Sequence, residues 1–245
     1  MYKRQVEHLS YFQVDNPSVK CVDPVFVGLH AIDESQMSSK MLEKAYPKEK
    51  LGNFCLVDGR VSVIEYSDLP DELAEARLPD GELKFRCGSI AIHMITTRFV
   101  ESLNTTGQGF SLPYHRADKK VPFVDNAGQP VKPEAVNAVK LETFVFDALP
   151  LCETSVIYEA DRVEEFAPIK NADAPGAVDC PATSKQLQSE RAARWLASHG
   201  VEITKNEDGW VNAQIELTPR VAIDPEDLAE AELPTKIDAG AEVLL

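Results

Sequence analysis

Hydrophobic and polar positions alternate in short runs through most of the chain, and a longer helical stretch follows. From Tyr11 to Val22 the order is strand, turn, strand, with Asp15-Asn16-Pro17 as the turn. Asp23-Pro24 closes that unit, and Phe26 to His30 reads as another short strand. A further short strand is expected around Lys40 to Lys44. NFCLV from Asn53 and VSVIEY from Val61 flank Asp58-Gly59, a strong hairpin signature. Ser67 to Gly81 is acidic and predicted helical, and LKFRC from Leu83 returns as a strand. After Gly88, the spacing of Ile92, Ile95, Phe99 and Leu103 predicts an apolar stripe on a helix. Asn104 to Pro113 is a glycine-containing loop. A second helix is expected from Val139 to Leu149, with Leu141, Phe144, Val145 and Leu149 inward, and SVIYEA from Ser155 is a strand. Prolines 168, 175 and 181, with Gly176, mark a boundary. Beyond it come a helix to about His199 ended by Gly200, a hairpin turning at Asp208-Gly209, and an acidic, partly helical tail from Asp224. Strands alternating with helices, then a small mixed appendix, give an α/β class. There is no internal repeat. MYKRQ runs abruptly into a segment that reads as mid-protein, so a truncated start is expected, with a sheet missing some of its strands.

Composition narrows the function classes. The net charge of −15 argues against nucleic acid, whose backbone needs a basic surface. No window approaches an uninterrupted membrane-spanning apolar run, and no signal-peptide core follows Lys3-Arg4, so a cytoplasmic protein with no membrane partner is expected. The five cysteines, Cys21, Cys55, Cys87, Cys152 and Cys180, are odd in number and never form CxxC, and are read as reduced structural thiols. Cys21, Cys55 and Cys87 fall in strand-like apolar runs, where a thiol is usually a small buried hydrophobe.

Taken alone, the residues carry little explicit chemistry. Walker, GxGxxG, HExxH and GxSxG motifs are absent, and the five histidines show no metal-ligand spacing. His93 reads as structural within its apolar helix. Lys119-Lys120, Lys140 and Lys170 interrupt an acidic chain near element ends, where lysines can bind phosphate as point charges. A turn carboxylate such as Asp15 can hold a magnesium ion bridged to phosphates, although Asp-Asn in a turn is more often only turn chemistry.

Five segments in order nevertheless resemble one family. FQVDNPSVKCVDPVFVGLH from Phe12, EKLGNFCLVDGRVSVIEYSDLP from Glu49, LPYHRADKKVPFVDNAGQPVKP from Leu112, VKLETFVFDALPL from Val139 and EEFAPIKNAD from Glu164 are similar to stretches of eukaryotic-type UDP-N-acetylhexosamine pyrophosphorylases. The similarity runs from about Tyr11 to Asp173 and more weakly to the end. It implies the C-terminal half of a Rossmann-like nucleotidyltransferase domain over 1–173, a small α+β domain over 174–245, and a uridylyltransferase that makes UDP-N-acetylglucosamine and pyrophosphate from UTP and N-acetylglucosamine 1-phosphate. Carried over by position, Asp15 is the magnesium ligand and Asn16 lies beside it near the phosphates. Gly52 lets the backbone approach the sugar, Glu65 accepts from sugar hydroxyls, and Tyr66 supports the same wall. Lys140 and Lys170 contact phosphate oxygens, and Phe144 and Phe146 pack near the acyl-amino group. Within a helix those two phenylalanines could not share a face, so at least one is expected in the core. His115 is read as structural.

Two departures stand out. The family's GNIANH-like segment reads GSIAIH from Gly88, placing Ser89 where an asparagine usually contacts the N-acetyl region. A serine hydroxyl lacks the amide's paired donor and acceptor, which admits glucose 1-phosphate or a broader sugar range. The family's glycine-rich loop, its following lysine and its uridine pocket have no counterpart in these residues. The 245 residues alone are therefore expected to be inactive and poorly behaved, with an unpaired sheet edge. A non-catalytic sugar-phosphate-binding module is the remaining alternative.

Overall fold

The computed structural model describes residues 5–104 and 112–245. Most of the loop expected at Asn104 to Pro113 lies outside the described residues. By packing, the chain divides into two units, one of Met1–Leu9 with Phe26–Tyr158 and one of Ser10–Val25 with Glu159–Leu245. These bounds differ from the expected division after residue 173, because residues 10–25 pack with the C-terminal part.

The strands of the first unit, in chain order, are β1 (His8–Tyr11), β2 (Met37–Glu43), β3 (Gly52–Val57), β4 (Arg60–Ile64), β5 (Cys87–Thr96), β6 (His115–Lys119), β7 (Phe123–Val124), β8 (Pro130–Val131), β9 (Ala138–Glu142) and β10 (Ile157–Glu159). Six of them form one sheet in the order β10-β2-β5-β3-β4, with β1 also pairing with β5. The β3–β4 hairpin turns where expected: Asp58 (φ 50°) and Gly59 (φ 77°) are both left-handed, as the favoured two-residue turn requires. β2 is buried from Met37 to Leu42. Met37, Met41, Phe54, Phe99, Phe146 and Leu149 form the core of this unit.

Several elements differ from the sequence reading, each for a physical reason. Phe26 to His30 lies in helix α1 (Pro24–Ile32), not in a strand. Asp23 Oδ1 accepts from Val25 N at 2.9 Å, and Pro24 holds the first helical position, so Asp-Pro opens a helix here instead of closing a strand unit. The acidic stretch from Ser67 yields only α2 (Asp71–Ala74), and the strand expected at Leu83 begins at Cys87. The apolar stripe after Gly88 is central strand β5, and only from Thr97 does helix α3 (Thr97–Asn104) follow. A strand buried on both faces reads as a continuous apolar run, which spacing alone does not separate from a helix. The helix expected at Val139 to Leu149 is β9, paired antiparallel with β6, followed by a 3-10 turn at Val145–Leu151.

The β2–β5 pairing is interrupted by a bulge. Ser39 pairs with His93 and Met41 with Ser89, so Ile90, Ala91 and Ile92 together oppose Lys40. Ala91 takes a left-handed φ of 54° there. The bulge directly follows Ser89 and lets that residue pair with Gly52 of β3 as well.

The second unit holds α4 (Arg162–Glu165), α5 (Pro181–Ser198), β11 (Glu202–Ile203), β12 (Gln214–Glu216), β13 (Lys236–Ile237) and β14 (Glu242–Leu244). Strand β11 pairs parallel with β13, and β12 with β14. Pro181 opens α5, the Thr183 hydroxyl accepts from Cys180 N at 2.9 Å, and Gly200 (φ 86°) ends it, as the sequence indicated. Trp195, Leu196, Val211, Ile215, Leu228 and Ile237 pack into its core. All five cysteines are reduced thiols, but the buried ones are Cys152 and Cys180, whereas Cys21 is exposed. No helix among the described residues is long and apolar enough to cross a membrane.

Candidate functional site

The sequence-predicted residues fall into three local groups. The first is built where β3, β4 and β5 meet in the first unit. Gly52 lies opposite Ser89 in the β3–β5 pairing. A Cβ on Gly52 would come 2.6 Å from Val63 Cγ1 and 3.5 Å from both Glu65 Oε1 and Ser89 Cβ. Glycine therefore leaves the room that lets the Glu65 carboxylate and the Ser89 side chain approach the same stretch of backbone. Glu65 is half-buried just past β4, and its carbonyl accepts from Asp68 N and Leu69 N, fixing the turn. Tyr66 follows it on the surface, 45% exposed. A carboxylate held beside a backbone edge and a hydroxyl is an acceptor-rich corner suited to a polyhydroxyl ligand.

The second group lies along the β6–β9 ribbon and the 3-10 turn after it. Phe144 and Phe146 stack with ring centroids 4.8 Å apart and planes at 12°. This corrects the expectation that they cannot share a face: Phe144 lies just before the 3-10 turn in extended conformation (φ −115°, ψ 137°) and not in a helix, while Phe146, inside that turn, is buried in the core, as expected of at least one of the pair. His115 packs against Phe144 at 4.9 Å and holds Asp147 Oδ2 at 2.8 Å, with Asp68 Oδ2 at 3.9 Å on its other side. His115 thus links the ribbon to the turn after Glu65. Lys140 is exposed on β9 and ion-paired with Glu142, whose carboxyl that hydrogen bond holds below its ordinary value. Lys119 and Lys120 are exposed at and just beyond the end of β6.

The third group belongs to the second unit and centres on the Asp15-Asn16 turn. Asn16 is buried and its amide works both ways: Nδ2 donates to Glu165 O at 2.7 Å and Oδ1 accepts from Ala167 N at 3.0 Å. Ile169 N donates to Asp15 O at 2.7 Å. These bonds bring half-buried Asp15 close to Lys170, which follows Ile169 and is exposed. Lys170 N and Asn171 N both donate to Asp179 O, and Lys170 Nζ lies 5.9 Å from the centre of the Phe166 ring. Among the described residues no group of three or more His, Cys, Asp or Glu side chains is arranged to hold a metal ion. A lone carboxylate fits magnesium only in its usual enzymatic mode, with waters and substrate phosphates completing the shell.

Sequence reasoning passed over a buried network behind the first group. Lys44, just beyond β2, is 6% exposed, and Asn53, beside Gly52, is 1% exposed. Lys44 Nζ donates to Asn53 Oδ1 at 2.9 Å and to Pro47 O at 2.7 Å. Burial lowers the Lys44 pKa, against the opposing charge of Glu49. A lysine just past an apolar run reads as a solvated element end, and nothing in the residue pattern marks this one as buried.

No family model matches the chain. Individual relatives match strongly. UDP-N-acetylhexosamine pyrophosphorylase-like protein 1 of Homo sapiens is 36% identical over 100% of this chain and 48% of its own length. The UDP-N-acetylglucosamine pyrophosphorylase of Saccharomyces cerevisiae is 35% identical over 81% of the chain and 42% of its own. A solved structure agrees: UDP-N-acetylglucosamine pyrophosphorylase of Trypanosoma brucei, in complex with an inhibitor, superposes with a TM-score of 0.71 at 27% identity, over 93% of this chain and 45% of that one. The chain belongs to the UDP-N-acetylhexosamine pyrophosphorylase family. It spans about half the length of the relatives it matches. The α/β class read from the sequence holds, and the family resemblance seen from Tyr11 to Asp173 extends over the rest of the chain.

Proposed function

We propose that in the complete protein this chain supplies the sugar 1-phosphate side of a uridylyltransferase. The substrates are UTP and N-acetylglucosamine 1-phosphate, and the products UDP-N-acetylglucosamine and pyrophosphate. The observation that carries this reading is the convergence of Gly52, Glu65 and Ser89 within a few ångströms, in a chain homologous to such enzymes. Glu65 accepts from sugar hydroxyls, Tyr66 flanks it, and the backbone at Gly52 takes the remaining polar edge. The stacked Phe144 and Phe146 offer an apolar wall to an acetyl methyl.

The reaction needs no nucleophile from the protein. An oxygen of the sugar phosphate attacks the α-phosphorus of UTP in line, the new P–O bond forms as the bond to the β-phosphate oxygen breaks, and pyrophosphate leaves. Alignment and neutralisation of phosphate charge then do the catalysis. Lys170 and Lys140 supply positive charge to phosphate oxygens. Asn16 holds the turn that presents Asp15, which would hold a magnesium ion; such an ion would supply charge to offset that of the phosphates. Five reduced thiols fit a reducing compartment, and we place the protein in the cytoplasm.

Ser89 supports a second reading, glucose 1-phosphate as an equal or better substrate. Its hydroxyl already accepts weakly from Ala91 N at 3.4 Å, and a serine reaches less far than an amide. Pyrophosphate release from UTP, followed in parallel with the two sugar 1-phosphates on the complete protein, separates them. The expected result is release with both and a kcat/KM at least about fivefold higher for the N-acetyl sugar, roughly 1 kcal/mol of discrimination. Equal or better use of glucose 1-phosphate would install the second reading, and no release with either would leave a binding module.

A further inference from the structure

Lys44 contacts two of the strands that carry the Gly52–Glu65–Ser89 corner and reaches the third through Asn53. Beyond Pro47 O, its ammonium reaches Asn53 Oδ1, and Asn53 Nδ2 in turn donates to Leu51 O at 3.3 Å and Ile64 O at 3.2 Å. Those carbonyls belong to the residues immediately before Gly52 and Glu65. The Lys44 stem packs beneath the third strand: a Cβ on Gly88, next to Ser89, would lie 3.2 Å from Lys44 Cγ and 2.7 Å from Leu51 Cδ1. The backbone of Lys44 is tied down as well, its N donating to Arg86 O at 2.8 Å. Glu49, also buried, closes the segment by accepting from Ala45 N at 2.8 Å, while Leu51 N donates to Glu49 O.

Burying an ammonium is costly, and leucine or methionine would fill the same volume without that cost. What an apolar side chain cannot do is hold Asn53 and Pro47 at fixed separations through directed hydrogen bonds. We propose that Lys44 is a positioning residue for the sugar site: through Asn53 it sets the spacing of Gly52, Glu65 and Ser89 without itself touching the ligand. This rests on the sugar 1-phosphate reading of that corner.

The test is steady-state kinetics on the complete protein with Lys44→Met, Asn53→Ala and the double variant, varying UTP and N-acetylglucosamine 1-phosphate separately. Small displacements of binding groups are expensive, so Lys44→Met should raise the KM for the sugar phosphate by about tenfold and leave that for UTP within about twofold. If the two residues act as one unit, the double variant should match the stronger single variant within about twofold instead of multiplying both effects. Asn53→Ala retains the buried charge and Pro47 as its acceptor, and it carries the test if Lys44→Met does not fold. An unchanged sugar KM, a parallel rise for both substrates, or multiplicative effects would overturn the inference. A wild-type protein with no turnover would instead overturn the site reading, and this inference with it.

Discussion

Lys170→Ala is expected to lower the rate of pyrophosphate release by the complete protein on the order of 100-fold, equivalent to about 2.7 kcal/mol of transition-state stabilisation. The size follows from what a displacement at phosphorus asks of a protein. Charge moves onto the leaving pyrophosphate, and a cation already in place stabilises it with no reorganisation. Lys170 is held in place through its backbone, by Asp179 O and by the Ile169–Asp15 bond one residue earlier. Because the side chain is exposed, its removal should leave the melting temperature within about 2 °C. Lys140→Ala should cost less, since Glu142 already neutralises much of that charge through their ion pair. A loss under about threefold for Lys170→Ala, with the protein folded, would remove Lys170 from the mechanism.

Acid should unfold the first unit through two buried histidines. His30 and His93 are both fully buried, on α1 and β5, and each shares a nitrogen with a serine hydroxyl at 2.8 Å, Ser38 and Ser39 respectively. Burial lowers both to about 4, His30 with help from neighbouring His8 and against the opposing charge of Asp33. The folded values lie below the unfolded 6.5, so the unfolded chain binds more protons as pH falls. The stability contribution is complete above about pH 6.5 and is lost progressively down to about pH 4. A shift of this size is worth about 3 kcal/mol per histidine, a large part of a typical domain's stability. Hydrogen exchange over residues 37–43 and 87–96, corrected for intrinsic rates, should show opening at pH 5 that is absent at pH 7.5. His93→Gln, which cannot be protonated, should flatten that dependence by about half. Equal protection at both pH values would show that the histidines are not buried as neutral groups.

What the sequence made legible depended on whether local chemistry or tertiary context set each element. Asp58-Gly59 specifies a tight turn by itself, and Pro181 with Gly200 brackets α5, so both were readable. The stretch from Cys87 to Thr96 was not: its helical-looking spacing comes from a central strand buried on both faces and bulged at Ala91. The same limit hid the Phe144–Phe146 stack, which forms where extended Phe144 meets the 3-10 turn that holds Phe146. Of the site, the candidate residues were legible through family resemblance, while composition offered little more than lysines in an acidic chain. That Gly52, Glu65 and Ser89 meet follows from strand register, which the sequence does not display. Lys44 escaped notice because a lysine after a buried strand reads as a solvated end until its acceptors are known.

As proposed, this chain belongs to an enzyme that exchanges pyrophosphate with a UDP-sugar, and the reverse reaction tests this: the complete protein is incubated with UDP-N-acetylglucosamine, pyrophosphate and magnesium, and UTP is measured by ion-exchange chromatography. Stoichiometric UTP and N-acetylglucosamine 1-phosphate are expected, both strongly reduced in Lys170→Ala. No UTP above the protein-free control, from a folded protein that still binds the UDP-sugar, would contradict the proposal.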